Sequence, residues 1–151
     1  MTSPARDSRQ SELLIGRPAD AALEIGNPDV SLGYPRVPIR LVAPSIDAAA
    51  FMEFEPWSGG IARLTAYFVD LAAHWSGWEG AKDLMDDSGT VAISATHDGK
   101  GMVVLKTSVR NYAHEGAGVW LATAFVPVEP GALSRIADEV ARLASSDIRR
   151  R

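Results

Sequence analysis

Four groups of side chains in this chain have types and spacings that can do chemistry. Arg63, Tyr67, Asp70 and His74 recur at intervals of four, three and four, so a helix would carry them on one face. A carboxylate one turn before a histidine can orient the imidazole and raise its basicity, which a general base requires. The plainer reading of that spacing is a solvated helix face with ordinary one-turn pairs. The run His74-Trp75-Ser76-Gly77-Trp78-Glu79-Gly80 places two tryptophans around a helix-ending Ser-Gly. Such rings either anchor a protein interface or pack, Trp75 in a core stripe and Trp78 over the helix end. Glu79, Asp83, Asp86 and Asp87 follow at once and form a local acidic cluster, a solvated linker or the carboxylate rim of an aromatic anchor that suits a basic partner. Last, Thr96-His97-Asp98-Gly99 puts His97 at a strand end beside a turn, placed to hydrogen-bond across it or to touch a ligand.

The remaining catalytic vocabulary is absent. There is no Gly-x-Ser-x-Gly elbow, no Gly-x4-Gly-Lys-Ser/Thr loop and no His-Glu-x-x-His. Gly99-Lys100-Gly101 joins two strands instead of opening a helix, so it reads as a turn. His74, His97 and His114 lie 23 and 17 residues apart, a spacing that fixes no metal by itself. The chain has no cysteine, which excludes disulfides, thiol nucleophiles and sulfur-ligated zinc. No metal or other cofactor is expected.

The elements that must position these groups follow from hydrophobic period. Leu13–Ile15 and Ala21–Ile25 read as a first hairpin across a Pro18 turn. Val37, Ile39 and Leu41 alternate as a strand, with Pro38 marking an edge strand or strand start. Residues 48–54 are a further strand candidate. Ile61, Leu64, Phe68, Leu71 and Trp75 form one stripe of a helix, with Ser58 as N-cap and Gly77 just past its end. Lys82–Asp87 reads as a linker. Val91–Ala95 and Val103–Val109 flank Asp98-Gly99 as a hairpin. Val119–Val128 is apolar on both parities, as in a central strand covered on both faces. Pro130 opens a second helix with the stripe Leu133, Ile136, Val140 and Leu143. No internal sequence repeat is visible. The short connections require a largely antiparallel sheet. The expectation is therefore a single α+β domain over residues 12–146, a twisted sheet of about six to seven strands packed with two α-helices. Residues 1–11 read as a disordered tail and 147–151 as a basic tail.

With 151 residues, 46% of them apolar and 23% charged, the chain is one globular domain in size and composition. Its formal charge is −4, and without residues 1–10 and 147–151 the body carries −7. That sign repels phosphate backbones, so nucleic acid is not an expected partner. No apolar run reaches the roughly 20 residues of a membrane span, and the first ten residues lack a signal-peptide core. Neither a membrane nor an export route is expected, which makes the expected location cytoplasmic.

The segments Phe68-Val69-Asp70-Leu71-Ala72-Ala73-His74-Trp75-Ser76-Gly77-Trp78-Glu79-Gly80 and Ala95-Thr96-His97-Asp98-Gly99-Lys100-Gly101 resemble an uncharacterised bacterial domain family, mainly actinobacterial, over roughly residues 60–143. That family brings no established activity. Its order of helix, strand, hairpin, strand and helix is also similar to that of some immunity proteins that neutralise polymorphic toxins, which implies a non-enzymatic binder. The leading expectation is a small protein-binding module, immunity-like, with a basic protein partner. The alternative is a small-ligand binder or enzyme with a pocket between sheet and helices near His97. Oligomeric state is left open.

Overall fold

A computed structural model describes residues 13–111 and 120–149 of the chain. The elements run β1 (Leu13–Arg17), β2 (Ala21–Ile25), β3 (Arg36–Ala43), β4 (Ile46–Glu53), α1 (Ala62–Ala73), β5 (Ala81–Met85), β6 (Val91–His97), β7 (Val103–Asn111), β8 (Trp120–Val128) and α2 (Leu133–Arg149). Each helix is preceded by a short 3-10 turn, at Pro56–Ser58 and at Pro130–Ala132. The fold is α+β with two helices, as the periodicity indicated. Instead of one sheet of six to seven strands there are two four-stranded antiparallel sheets, β1-β2-β3-β4 and β5-β6-β7-β8. The extra strand is β5, which occupies most of the stretch read as a linker. Only Leu84 of that strand is buried, so one apolar residue among charges left no alternation to recognise.

The two halves repeat the same order of elements: a meander of four strands, a Glu-Pro pair, a 3-10 turn and a helix. Pro56 and Pro130 each stand in the first positions of their turns, where fixed φ and a missing N–H cost nothing. Ile61, Leu64, Phe68 and Leu71 share the spacing of Leu133, Ile136, Val140 and Leu143. A duplicated element order needs only matching hydrophobic patterns, which is why no repeat of residues reveals it.

Burial alternates along β3, β6 and β7. Val37, Ile39 and Leu41 of β3, Val91, Ile93 and Ala95 of β6, and Val103, Leu105, Thr107 and Val109 of β7 face one continuous core with both helix stripes. α1 and α2 pack against each other, β8 lies against β1 and β2, and β4 lies against β6 and β7. Gly16 permits one of these approaches. Its φ is +87°, and a Cβ there would collide with the Ala21 carbonyl oxygen and a Val126 methyl.

Three strand expectations are corrected. Pro38 lies in β3, which pairs with both β2 and β4 and is not an edge. Its carbonyl accepts from the Gly26 N–H at 2.9 Å, and β2–β3 pairing ends at Ile25 and Ile39. The missing Pro38 N–H therefore faces the place where the β2 ladder has already stopped. β8 is an edge strand, not a central one, and exposes Leu121 and Phe125 on its outer side. The β6–β7 connection is a loop over residues 98–102, not a two-residue turn. In it the Asp98 carboxylate accepts from the Lys100 and Met102 N–H groups at 2.7 and 3.0 Å. At the C-terminal end α2 continues to Arg149. Residues 1–12 and 150–151, and with them His114 and Val119, lie outside the described residues.

The sheets are tied by two adjacent carboxylates in the β5–β6 turn. Asp86 is 3% exposed. It accepts from the Glu53 N–H (3.0 Å), the Ser88 hydroxyl (2.6 Å) and the Val91 N–H (3.0 Å). Asp87 accepts from the Glu55 N–H (2.7 Å), the Ser58 hydroxyl and the Arg63 guanidinium (2.8 Å), while its own N–H donates to the Glu53 carbonyl (2.9 Å). The end of β4 and the start of α1 are thus bonded to the second sheet.

Replacing Asp86 by Ala leaves two backbone N–H groups without their acceptor and costs about 2–4 kcal/mol, read as a lower urea midpoint with unchanged slope. Asp87 is held below the usual carboxylate range by the Ser58 hydroxyl, the Glu55 N–H and Arg63. Asp98 is held low by the Lys100 and Met102 N–H groups, and Asp29 by Ser31 and Arg36. Each folded pKa lies below the unfolded value, so the stability these groups contribute is complete above the unfolded pKa. It is lost as pH falls through the lower folded values. Urea unfolding at neutral pH and near pH 3 will show Asp87→Asn weaker than wild type at neutral pH, with the gap narrowing in acid.

Candidate interaction surface

The residues singled out by spacing separate into three places. Arg63 belongs to the carboxylate tie: besides Asp87 it donates to the Met85 carbonyl at 3.1 Å, and it lies 5.1 Å from the Phe54 ring centroid. Asp86 and Asp87 are there too, so half of the expected acidic cluster is structural. Tyr67 is corrected from the polar face to the core. Its hydroxyl donates to the Lys82 carbonyl at 2.8 Å, and burial, reinforced by Asp83 and Asp70, pushes its pKa far above that of an ordinary phenol. On the helix, Tyr67 borders the buried stripe of Leu64, Phe68 and Leu71, and a ring long enough to reach in places only its hydroxyl at the margin.

The second place is the C-terminal end of α1. His74 Nδ1 is 2.9 Å from the Asp70 carbonyl and 3.3 Å from its carboxylate, so Nδ1 carries the proton. The carboxylate is shared with Lys82 at 3.0 Å. Lys82 Nζ lies 5.8 Å from the Trp78 ring centroid, and Trp78 meets His97 edge to face at 5.3 Å. Trp78 packs against the core and donates its indole N–H to the Ala95 carbonyl at 3.2 Å. His97 Nδ1 accepts from the Gly99 N–H at 2.9 Å, which leaves Nε2–H to donate to the Trp75 carbonyl at 3.0 Å. Both nitrogens are therefore spent on backbone, holding the helix end to the tip of β6. Asp70, His74, Trp78 and His97 do come together, through Lys82, which the linker reading passed over.

Glu79 and Asp83 are exposed and lie apart, Glu79 in the turn before β5 and Asp83 within that strand. The clefts lined by described residues include one of about 370 Å³ between the β1–β2 turn and the start of α2 and one of about 280 Å³ on the second sheet. Neither is lined by His74 or His97. Among the described residues no three His, Cys, Asp or Glu side chains converge as a metal site, and no helix is long and apolar enough to cross a membrane.

The third place was missed. Trp75 leaves the stripe to which its spacing assigns it, because α1 ends at Ala73 and the chain turns; the ring is 59% exposed. Trp57, in the 3-10 turn before α1, is 82% exposed. Between them the outward residues of α1 are Ala62, Ala66, Val69 and Ala73, spaced four, three and four, all exposed. A helix apolar on both sides, with a tryptophan beyond each end and no described residue covering its outer face, is an unusual surface. Ser58 does not cap α1; its hydroxyl is engaged by the Glu55 carbonyl and Asp87, and the cap position is Ile61.

The chain belongs to a family of unknown function, DUF6228, whose model matches residues 37–147, from within β3 to within α2. That span contains α1 and the contacts holding both its ends. No curated protein and no solved structure matches the chain.

His97→Ala removes two hydrogen bonds and the edge contact with Trp78. It should cost about 1–3 kcal/mol, seen as a lower melting temperature.

Proposed function

We propose that the protein is a non-enzymatic protein-binding module that presents the outer face of α1 to its partner. One observation carries this reading: Ala62, Ala66, Val69 and Ala73 form an exposed apolar track flanked in sequence by the exposed Trp57 and Trp75. Tryptophan is a frequent source of binding energy at interfaces because one rigid ring removes a large apolar area from water. Alanine has no rotamer freedom to lose, so the helix meets a partner already ordered. Asp70 follows Val69 at the margin of the track, and the body of the chain is acidic, so the partner fitted to it has an apolar groove with a basic rim. An immunity-like role, in which a small acidic protein captures a basic target, is the finer form of this reading and rests on the charge and the order of elements.

The test is capture from a lysate of the source organism with wild type, Val69→Asp and Trp75→Ala as baits. Both replaced side chains are exposed, so melting temperatures should stay near wild type, with stability changes of about 0.5 kcal/mol. The expected result is a stoichiometric partner retained by wild type, lost by both variants and released by raised salt. A partner held equally by all three baits, or none at stoichiometric yield, removes the reading.

A further inference from the structure

The outer face of the second sheet carries a separate signal. Leu84, Ile93, Leu105 and Thr107 point into the core, so alternation places Asp83 and Met85, Ala92 and Ser94, and Lys106 and Ser108 on the outside. Asp83 is opposite Ser94, and Ser94 is opposite Lys106. The two charges thus stand one strand to either side of Ser94, about 10 Å apart at Cα. Neither forms a hydrogen bond or ion pair with another described residue. Small side chains between them leave the hollow of about 280 Å³. Phe125, the register partner of Lys106, is 60% exposed beside it. The first sheet differs: Arg40 bonds Asp47 at 2.7 Å and Glu24 at 3.4 Å across its outer face, and Arg36 lies 4.1 Å from the Phe51 centroid. Those charges are answered within the chain.

We propose that this face pairs with the same face of a second copy, related by a two-fold axis running along β6 over Ser94. Such an axis exchanges left for right about β6. It sets Asp83 against Lys106 of the second copy and Lys106 against the second copy's Asp83, so both unanswered charges are paired at once. Opposite charges at equal offset from a small central residue are the condition for self-complementarity, and an unrelated partner has no need of that symmetry. Met85 of each copy then meets Ser108 of the other. Phe125 lies beside the ion pair and keeps water from it. The axis sets β5, β6 and β7 against β7, β6 and β5 of the second copy and leaves β8 at the margin. Three strands and about 20 Å of length give on the order of 300 Å² per copy, well under half the ~800 Å² of a standard interface. The dimer is accordingly a weak one, forming in the micromolar range and loosened by salt.

Sedimentation velocity over the micromolar range tests this with wild type, Asp83→Lys, Lys106→Asp and the double charge swap, each checked for an unchanged melting temperature. Wild type is expected to dimerise with concentration, each single reversal to weaken association at least tenfold, and the double swap to restore it. An equimolar mixture of the two single variants should form a mixed dimer. Ser94→Arg tests the axis independently of the pair and should give monomer. The proposal is overturned if wild type stays monomeric, if the single reversals leave association unchanged, or if neither the double swap nor the mixture restores it.

Discussion

The fold depends on the carboxylates of Asp86 and Asp87. Burial of apolar surface draws two sheets together but is non-directional, so it leaves their relative placement loosely defined. Hydrogen bonds to charged acceptors have direction and length. Asp86 joins the end of β4 to the start of β6, and Asp87 joins the same strand end to the first residues of the α1 connection. Because Arg63 completes the cluster, the N-terminal part of α1 is fixed by the same contacts that fix the sheets. At the other end, His97 and Trp78 hold the helix terminus to β6. α1 is thus clamped twice by polar contacts, and its outward face is left uncovered by the described residues.

The groups whose spacing suggested catalysis have largely been used in this clamping. Turns at sheet ends leave backbone N–H and C=O groups that burial makes costly unless paired. Asp86, Asp87, Asp98 and His97 each satisfy such groups. A histidine with both nitrogens bonded to backbone positions the chain instead of moving protons. His74 Nε2 bonds no described residue, but His74 is exposed and the Asp70 carboxylate beside it is shared with Lys82. What the surface offers outward is apolar.

Much of the architecture was legible. β1, β2 and β3, the β6–β7 pair and both helices were read from their apolar patterns, and the antiparallel arrangement followed from connection length. Residues 48–54 were only a strand candidate, because the Ala48–Ala50 run blurs their type. β5 was not legible, because an edge strand with one inward apolar residue has no period to detect. The division into two sheets was not legible either, since alternation marks which residues face a core but not which strands share a ladder. Of the candidate surface residues, the sequence brought Asp70, His74, Trp78 and His97 forward, and they do meet. It placed Trp75 inside and Tyr67 outside, and the structure reverses both.

What the sequence alone determined is therefore local: the class of fold, the two amphipathic helices, the absence of cysteine chemistry and the acidic balance of the body. Each of these depends on residue type and short spacing, which pattern and propensity encode directly. The tertiary structure decided the destinations of the four carboxylates from Glu79 to Asp87. Two of them tie the sheets together, one stands on an outer sheet face and one in an exposed turn. It also decided that the small residues of α1 face solvent. Those outcomes depend on where distant segments come to lie, since a carboxylate is a clamp only if an N–H from residues 53 to 55 arrives within 3 Å of it.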